Sequence, residues 1–511
     1  MKVNRRVKVF FSTLLVCGIF FSANAQQKYE MRAVWIATVN NIDWPPQNEF
    51  EPYRQREALI TMLDTFKNLN INAIIVQIRP TADAFYQSNF EQWSRFLTGE
   101  QGVEPYPYYD PLQFIIEQAH ERNIEVHAWL NPYRLLNSDD LNLLHQNNIF
   151  FKYPELFFKY GNQYFFNPAK DATVEYLKNI VADIVSRYDI DALHIDDYFY
   201  PYPIKGKDIL DEEDFTANSR GFTDRNDWRR DNVNRAINAI YTTIKSIKPY
   251  VAFGVSPFGV WRNKNKDING SNTKALSNYD DLYADILKWE REGKVDYIIP
   301  QLYWEIGHKS ADYKELAEWW SKNSRGVNLY VGLYASNLGN KQASKSWTSG
   351  NELVREMKLN KQYPEIQGVG LYSAIAIMEN RGGIADSLRN SFFRYPALVP
   401  KWKNTGTELP AEPQNLRIES DKNEQTAFLR WEKNTQEENL KYYVVYYSDA
   451  DDKIDINNPK YILATTRDDC LDITKLIFDN SEKKYNFAVS SVSLYNVESK
   501  PVWAIYDNKN L

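Results

Sequence analysis

Two adjacent acids, Asp196 and Asp197, close an apolar run and open the aromatic stretch Tyr198-Phe199-Tyr200-Pro201. Hydrolysis of a glycosidic bond needs a proton donor and an anion flanking that bond, commonly two Asp or Glu. Asp196 alternates with His194, so both point to one side of a strand and Asp196 stands at its mouth. Neighbours in a strand point to opposite sides and rarely flank one bond. Asp196 or Asp197 therefore calls for one distal carboxylate as partner. Three compete for that role: Asp83 beyond the run 73–79, Glu305 beyond 297–303, and Asp285. Asp285 falls inside an expected helix, where a surface charge is the plain alternative. One of the neighbouring Asp residues also has a structural alternative, capping the next segment or pairing with Arg79.

Other run ends add groups that suit a sugar. Read at period two they offer Gln77 and Arg79; His127, Trp129 and Asn131; Gln301 and Tyr303, with Trp304 next; then Tyr334 and Tyr372. Inward polar side chains at strand ends are costly unless paired or used. Arg79, Arg134 and Arg262 lie at or just past such ends, where a bidentate guanidinium suits a substrate carboxylate or, equally, holds Asp196 in place. His127 and His194 qualify as acid–base groups by type and as hydrogen-bonded core by position. Tyr133, Tyr198 and Trp261 extend the aromatic surface. There is no HExxH, no cysteine pair and no GxSxG, so the sequence asks for neither metal nor cofactor and lowers an esterase reading.

The elements that must position these groups alternate along the chain. Short apolar runs at Ala33–Val39, Ala73–Arg79, Glu125–Asn131, Ala192–Asp196, Val251–Ser256, Tyr297–Tyr303, Leu329–Tyr334 and Gly368–Tyr372 read as strands. Amphipathic stretches lie between them. Asp110-Pro111 caps a helix over 112–122, Asp280–Glu292 stops at Gly293, and 352–359 carries Leu353, Val354 and Met357 on one face. Eight strand–helix units predict a (β/α)8 barrel over 26–400 with its site at the C-terminal strand ends. A doubly wound sheet is the alternative, but no Gly-rich fingerprint follows the first strand.

Residues 401–413 read as a linker, and 414–511 as an all-β domain. Leu429-Arg430-Trp431, the Tyr442–Tyr447 run and Tyr485–Val489 resemble a fibronectin type III sandwich. The acidic stretch 449–455 lacks the Gly and terminal Glu of a calcium loop and reads as a solvated turn.

The first 25 of 511 residues hold four cations and no acid, an apolar run 9–21, and Ala23-Asn24-Ala25. This is the layout of a cleaved secretory signal, which makes the chain exported, periplasmic or at the cell surface, with no transmembrane segment. Cys17 suggests a lipoprotein anchor; against it, Val16 stands where a small residue belongs. Cleavage leaves Cys470 alone, so no intrachain disulfide forms. The net charge of −6, more negative once the signal is removed, argues against nucleic acid as a partner. The 15% aromatic content excludes low-complexity disorder and fits a core, a sugar-stacking cleft, or both.

Several motifs carry a resemblance. They are Met31–Val39 with Asp43-Trp44-Pro45-Pro46, Gln77-Ile78-Arg79-Pro80 with Asp83, and Tyr109-Asp110-Pro111-Leu112. His127–Arg134, His194–Pro201, Asp227–Arg230, Gly254–Asn263, Tyr283-Ala284-Asp285 and Pro300–Trp304 continue them. Over about residues 29–395 the chain resembles the bacterial glycosyl hydrolase-like family ten. The resemblance implies a (β/α)8 barrel and glycosidase activity, and the family includes a cell-division glycosidase that cuts peptidoglycan strands stripped of their peptides. It places Asp83 and Asp285 inside motif segments and Glu305 outside them. The expected partner is a glycan, peptidoglycan first. A dietary or host polysaccharide, or glycan binding without catalysis, are the alternatives.

Overall fold

Eight apolar runs pair side by side and close on themselves. In the computed structural model, which describes residues 26–507 except 404, 405, 407, 422, 436, 437, 450 and 480–483, the strands are β1 (Met31–Ile36), β2 (Ala73–Arg79), β3 (Glu125–Leu130), β4 (Ala192–Ile195), β5 (Ala252–Val255), β6 (Tyr297–Ile298), β7 (Asn328–Leu333) and β8 (Ile366–Leu371). They form a closed barrel, each parallel to its neighbours, with β8 returning to β1 through Met31 opposite Gly368. The expected signal segment lies outside the described residues. Among those described, no helix is long and apolar enough to cross a membrane.

Helices follow the strands: α1 (Pro52–Asn68), α2 (Pro111–Glu121), α3 (Asp171–Arg187), α4 (Arg225–Ile247), α5 (Ile286–Arg291), α6 (Tyr313–Asn323) and α7 (Asn351–Asn360). After β8 the barrel ends in short helical pieces, Ala374–Met378 and the run from Ile384 to Phe392. Asp110 caps α2 by accepting the Gln113 N–H at 3.1 Å, with Pro111 in the first turn, as the sequence predicts. The helix expected over 280–292 is instead broken in two. Tyr283 takes a left-handed φ of 54°, and Asp285 caps the second piece by accepting the Lys288 N–H at 3.2 Å. The expected strand ends at 37–39, 131, 196, 256, 299–303, 334 and 372 lie outside the strands, because there the chain leaves the ladder to build the rim.

Two cores result. The larger lies between strands and helices, and the smaller fills the barrel from Met31, Ala73, Ala192 and Ala252 up to Tyr297 and Tyr330. Small residues at the base make room for rings above. A Cβ on Gly254 would stand 1.9 Å from Tyr297 Cζ, so the glycine in β5 is what lets the Tyr297 ring lie across the axis. Trp402, in the segment expected to be a linker, stacks on Tyr297 at 5.6 Å and belongs to the interior packing. Asn328 grips the same segment through the Lys401 carbonyl and the Lys403 N–H.

A feature absent from the sequence reading is a three-stranded antiparallel sheet after β3, made of Arg134–Leu136, Gln163–Phe166 and Phe157–Tyr160. The C-terminal residues form a three-stranded and a four-stranded antiparallel sheet that share one core, in which Trp431 packs edge-on against Tyr443 at 5.3 Å. The short strands Cys470–Asp472 and Val502–Tyr506 complete them. Cys470 is a free, half-buried thiol.

Candidate active site

At the C-terminal end of the barrel a cavity of about 390 Å³ opens, and both Asp196 and Asp197 line it. Asp196 follows directly on β4 and lines the cavity floor beside Trp129. Its carboxylate accepts from Trp129 Nε1 at 3.1 Å, Asn131 Nδ2 at 3.1 Å and the Tyr198 backbone N–H at 3.3 Å. Asp197 turns to the other wall, where Oδ2 accepts the Tyr202 hydroxyl. Burial pushes both carboxyls up. For Asp196 the Arg134 charge and the three N–H donors work against that push. Asp197 is carried to about 7 by burial and then by the charge of Asp196, with the Tyr202 and Gln301 side chains opposing.

The two acids differ in which proton state their partners tolerate. An N–H can only donate, so protonating Asp196 would strand donors aimed at it. A hydroxyl can turn and accept, so Tyr202 suits Asp197 in either state. Asp196 is therefore the standing anion, and Asp197 the group that carries a proton near neutral pH.

Around the pair, Tyr303 stacks on Tyr334 at 4.9 Å with Tyr372 beside it at 5.8 Å, giving an aromatic wall. Arg134 lies over the Tyr198 ring at 4.3 Å and lines the opening. Gln77 Oε1 accepts from the Thr38 and Val39 N–H groups, and its Nε2 has no partner among the described residues. That leaves both amide N–H donors of a cavity-lining residue unpaired. Trp129, Gln301 and Tyr303 also line the cavity, while Asn131 supports it from behind.

Several expected site residues are placed elsewhere. Arg79 is fully buried and held by Glu91 at 2.8 and 2.6 Å, with a further bond to the Asn131 carbonyl, so it is neither a substrate ligand nor the partner of Asp196. Asp83 is buried behind β2 among Thr81 and Gln101. Asp285 is a helix cap, and Glu305 accepts the Trp347 indole N–H at 2.7 Å; neither lines the cavity. Arg262 is bound to Asp280 and Asp267, and Trp261 stacks on Trp319 at 5.5 Å. Tyr133 is core, and Trp304 packs on Phe258 at 5.4 Å. His127 and His194 are buried on the barrel axis and share the Tyr297 hydroxyl, at 2.7 and 3.0 Å. Burial holds the His194 imidazole well below its usual range, which keeps it neutral. The distal carboxylate that the sequence reading asked for is thus missing: the acids lining the cavity are the two neighbours alone, among the described residues.

Sequence reasoning did not single out Tyr202, Ser256, Trp35 or Gln163, all of which line the cavity. Ser256 ends a run read as strand, and period two from Gly254 was the available signal. Tyr202 and Gln163 come from loop and added sheet, which no periodicity marks.

Over 514 aligned residues the chain is 41% identical to Glycosyl hydrolase YngK of Bacillus subtilis (strain 168), covering 98% of this chain and 99% of that protein. It is 36% identical to Glycosyl hydrolase DigH of Escherichia coli (strain K12), covering 68% of this chain and 83% of that one. Among solved structures, the catalytic domain of a beta-amylase from Paenibacillus polymyxa matches at 13% identity with a TM-score of 0.49, over 72% of this chain and 99% of that chain. Residues 30–349 match the family model Glycosyl hydrolase-like 10, and the chain belongs to that family.

Proposed function

We propose that this glycoside hydrolase is exported and cleaves cell-wall glycan strands whose sugars carry 2-acetamido groups. The observation that carries the reading is the pairing of two neighbouring carboxyls with opposed proton preferences in a cleft that holds no distal acid among the described residues. Retention and inversion by two flanking carboxylates both need that second acid across the bond. A substrate that brings its own nucleophile does not, and substrate-assisted glycosidases use the 2-acetamido oxygen in this way.

The steps follow from the residues. Asp197 gives its proton to the leaving glycosidic oxygen as the C1–O bond breaks, and the acetamido oxygen forms a bond to C1. Asp196, anionic, accepts the acetamido N–H and offsets the positive charge on the cyclic intermediate. Water then attacks C1, its proton passes to the Asp197 carboxylate, and the acetamido group reopens with net retention. The Tyr303–Tyr334 wall supports the sugar face, and Arg134 suits the lactyl carboxylate that muramic residues expose once peptides are gone. The likeness of residues 29–395 to a family with a member acting on such strands points the same way, as does the layout of residues 1–25.

The test is incubation with peptide-free peptidoglycan strands beside a panel of polysaccharides without acetamido groups, read by mass spectrometry. Cleavage of the former, blocked by a thiazoline analogue of N-acetylglucosamine, is expected. Cleavage of the non-acetamido panel would overturn the mechanism and favour a polysaccharide hydrolase. Binding without any cleavage would make the protein a glycan-binding module.

A further inference from the structure

A continuous line of polar contacts runs down the barrel axis from the cleft to the C-terminal domain. Ser256 Oγ, on the cleft, is 2.9 Å from His194 Nε2. His194 Nδ1 is 3.0 Å from the Tyr297 hydroxyl, which is 2.7 Å from His127 Nδ1. His127 Nε2 is 3.2 Å from Glu125 Oε2, and Glu125 Oε1 accepts Lys441 Nζ at 2.5 Å. Lys441 comes from the C-terminal sheet and enters the base of the barrel, where Asp191 at 2.8 Å and Asn496 at 3.2 Å take its other bonds. All six members of the line are buried.

The proton positions along this line are not independent. Tyr297 has one hydroxyl proton and two imidazole nitrogens facing it, so one histidine must donate to it and the other must accept. Glu125, ionised beside Lys441, can only accept, which fixes the proton of His127 on Nε2 and leaves Nδ1 bare. Lys441 and the His120 ring, 2.9 Å from Asp191, lie against the two carboxylates, and with one proton on the His127 ring the remaining directions follow. Tyr297 then donates to His127, His194 donates to Tyr297, and Ser256 donates to His194. Every hydroxyl and imidazole proton points toward the base, and Ser256 Oγ faces the cleft with lone pairs only. Gly254 secures the geometry, since any Cβ there would expel the Tyr297 ring.

We propose that Lys441 and Glu125 are positioning residues for the active site. They set the proton direction of the His127–Tyr297–His194 line and thereby make Ser256 an acceptor for a substrate N–H or O–H. The C-terminal domain is then a working part of the cleft, reached through the barrel rather than from its rim. The consequence for turnover rests on the glycosidase reading; the proton direction does not.

The closing experiment reads the direction itself. The chain has five histidines, so histidine-15N labelling and long-range nitrogen–proton spectra of the full-length protein report each tautomer. The expected pattern is His127 protonated on Nε2 and His194 on Nδ1. In E125Q the amide oxygen stays with Lys441 and the NH2 faces His127, so both histidines should exchange tautomer. In E125Q/Y297F the line is cut, and His194 should take the tautomer it has in Y297F alone. In K441M the uncompensated Glu125–Asp191 pair takes up a proton, Glu125 can then donate to His127, and both histidines should exchange tautomer as in E125Q. Where cleavage is measured, E125Q should lower kcat/KM about tenfold without moving the alkaline limb set by Asp197. A His194 tautomer that is the same in wild type and E125Q, or the opposite pattern in wild type, overturns the proposal whatever the substrate proves to be.

Discussion

Asp197 and Asp196 sit side by side in sequence, yet their partners sort them into proton donor and anion. The pKa near 7 for Asp197 fixes the sign of a measurable effect. A general acid works protonated, so kcat/KM should fall as pH rises through about 7. Tyr202 donates to the ionised form; in Y202F the acid loses that support, its pKa rises, and the alkaline limb should move to higher pH. D197N should cost at least about 100-fold in kcat at neutral pH, the usual worth of a positioned proton donor. A Y202F profile shifted to lower pH would contradict the assignment. A different carboxyl offers a stability test. Glu356 in α7 is fully buried, neither of its oxygens has a hydrogen-bond partner among the described residues, and burial raises it well above the usual range. An acid raised in the folded state destabilises increasingly as pH climbs above its unfolded value. E356Q should therefore gain about 1–3 kcal/mol at pH 8 by denaturant titration, with little gain near pH 4.

At the scale of elements, strands were the legible part. All eight barrel runs carry enough Val, Ile and Leu to be read directly, because a parallel barrel strand is buried on both faces. The same reading found Asp196 and Asp197, since a strand end is a definable place. It failed where position comes from loops or from backbone that breaks its own pattern. Asp285 looked like part of one helix because periodicity does not register the left-handed turn at Tyr283. Arg79 looked available because sequence cannot show Glu91 folding back from twelve residues on. Nor could spacing reveal that Gly254 exists for the sake of Tyr297, forty-three positions away. That relation is testable: G254A should lose roughly 1–3 kcal/mol to overpacking, read as a lowered Tm, and the Y297A background should relieve much of the loss. Simple additivity of the two substitutions would argue against contact between them.

At the scale of the whole molecule, its two parts share a buried ion cluster. Lys441 binds Glu125 and Asp191 out of water, and Lys28 binds Glu498 at 2.6 Å. Against the upward push of burial, Lys441 holds the Glu125 and Asp191 carboxyls below their usual range. Depressed acids add stability above their unfolded pKa, about 4, and lose it as pH falls through the folded value. K441M leaves two buried carboxylates facing each other and should cost about 3–5 kcal/mol near neutral pH. Calorimetry should show a single transition for the wild-type chain, and two resolved transitions would contradict this coupling.

Trp402 gives the barrel a stopper that lies beyond its last strand. Synthesis runs from the N-terminus, so all eight strands emerge before the ring that closes the lower mouth. A barrel made of the strands alone would be open at its base until the residue from the junction with the next domain is added. A cut after residue 400, where composition places the seam, would remove that ring and leave the underside of Tyr297 to water. The seam in the sequence and the seam in the solid are therefore not the same place.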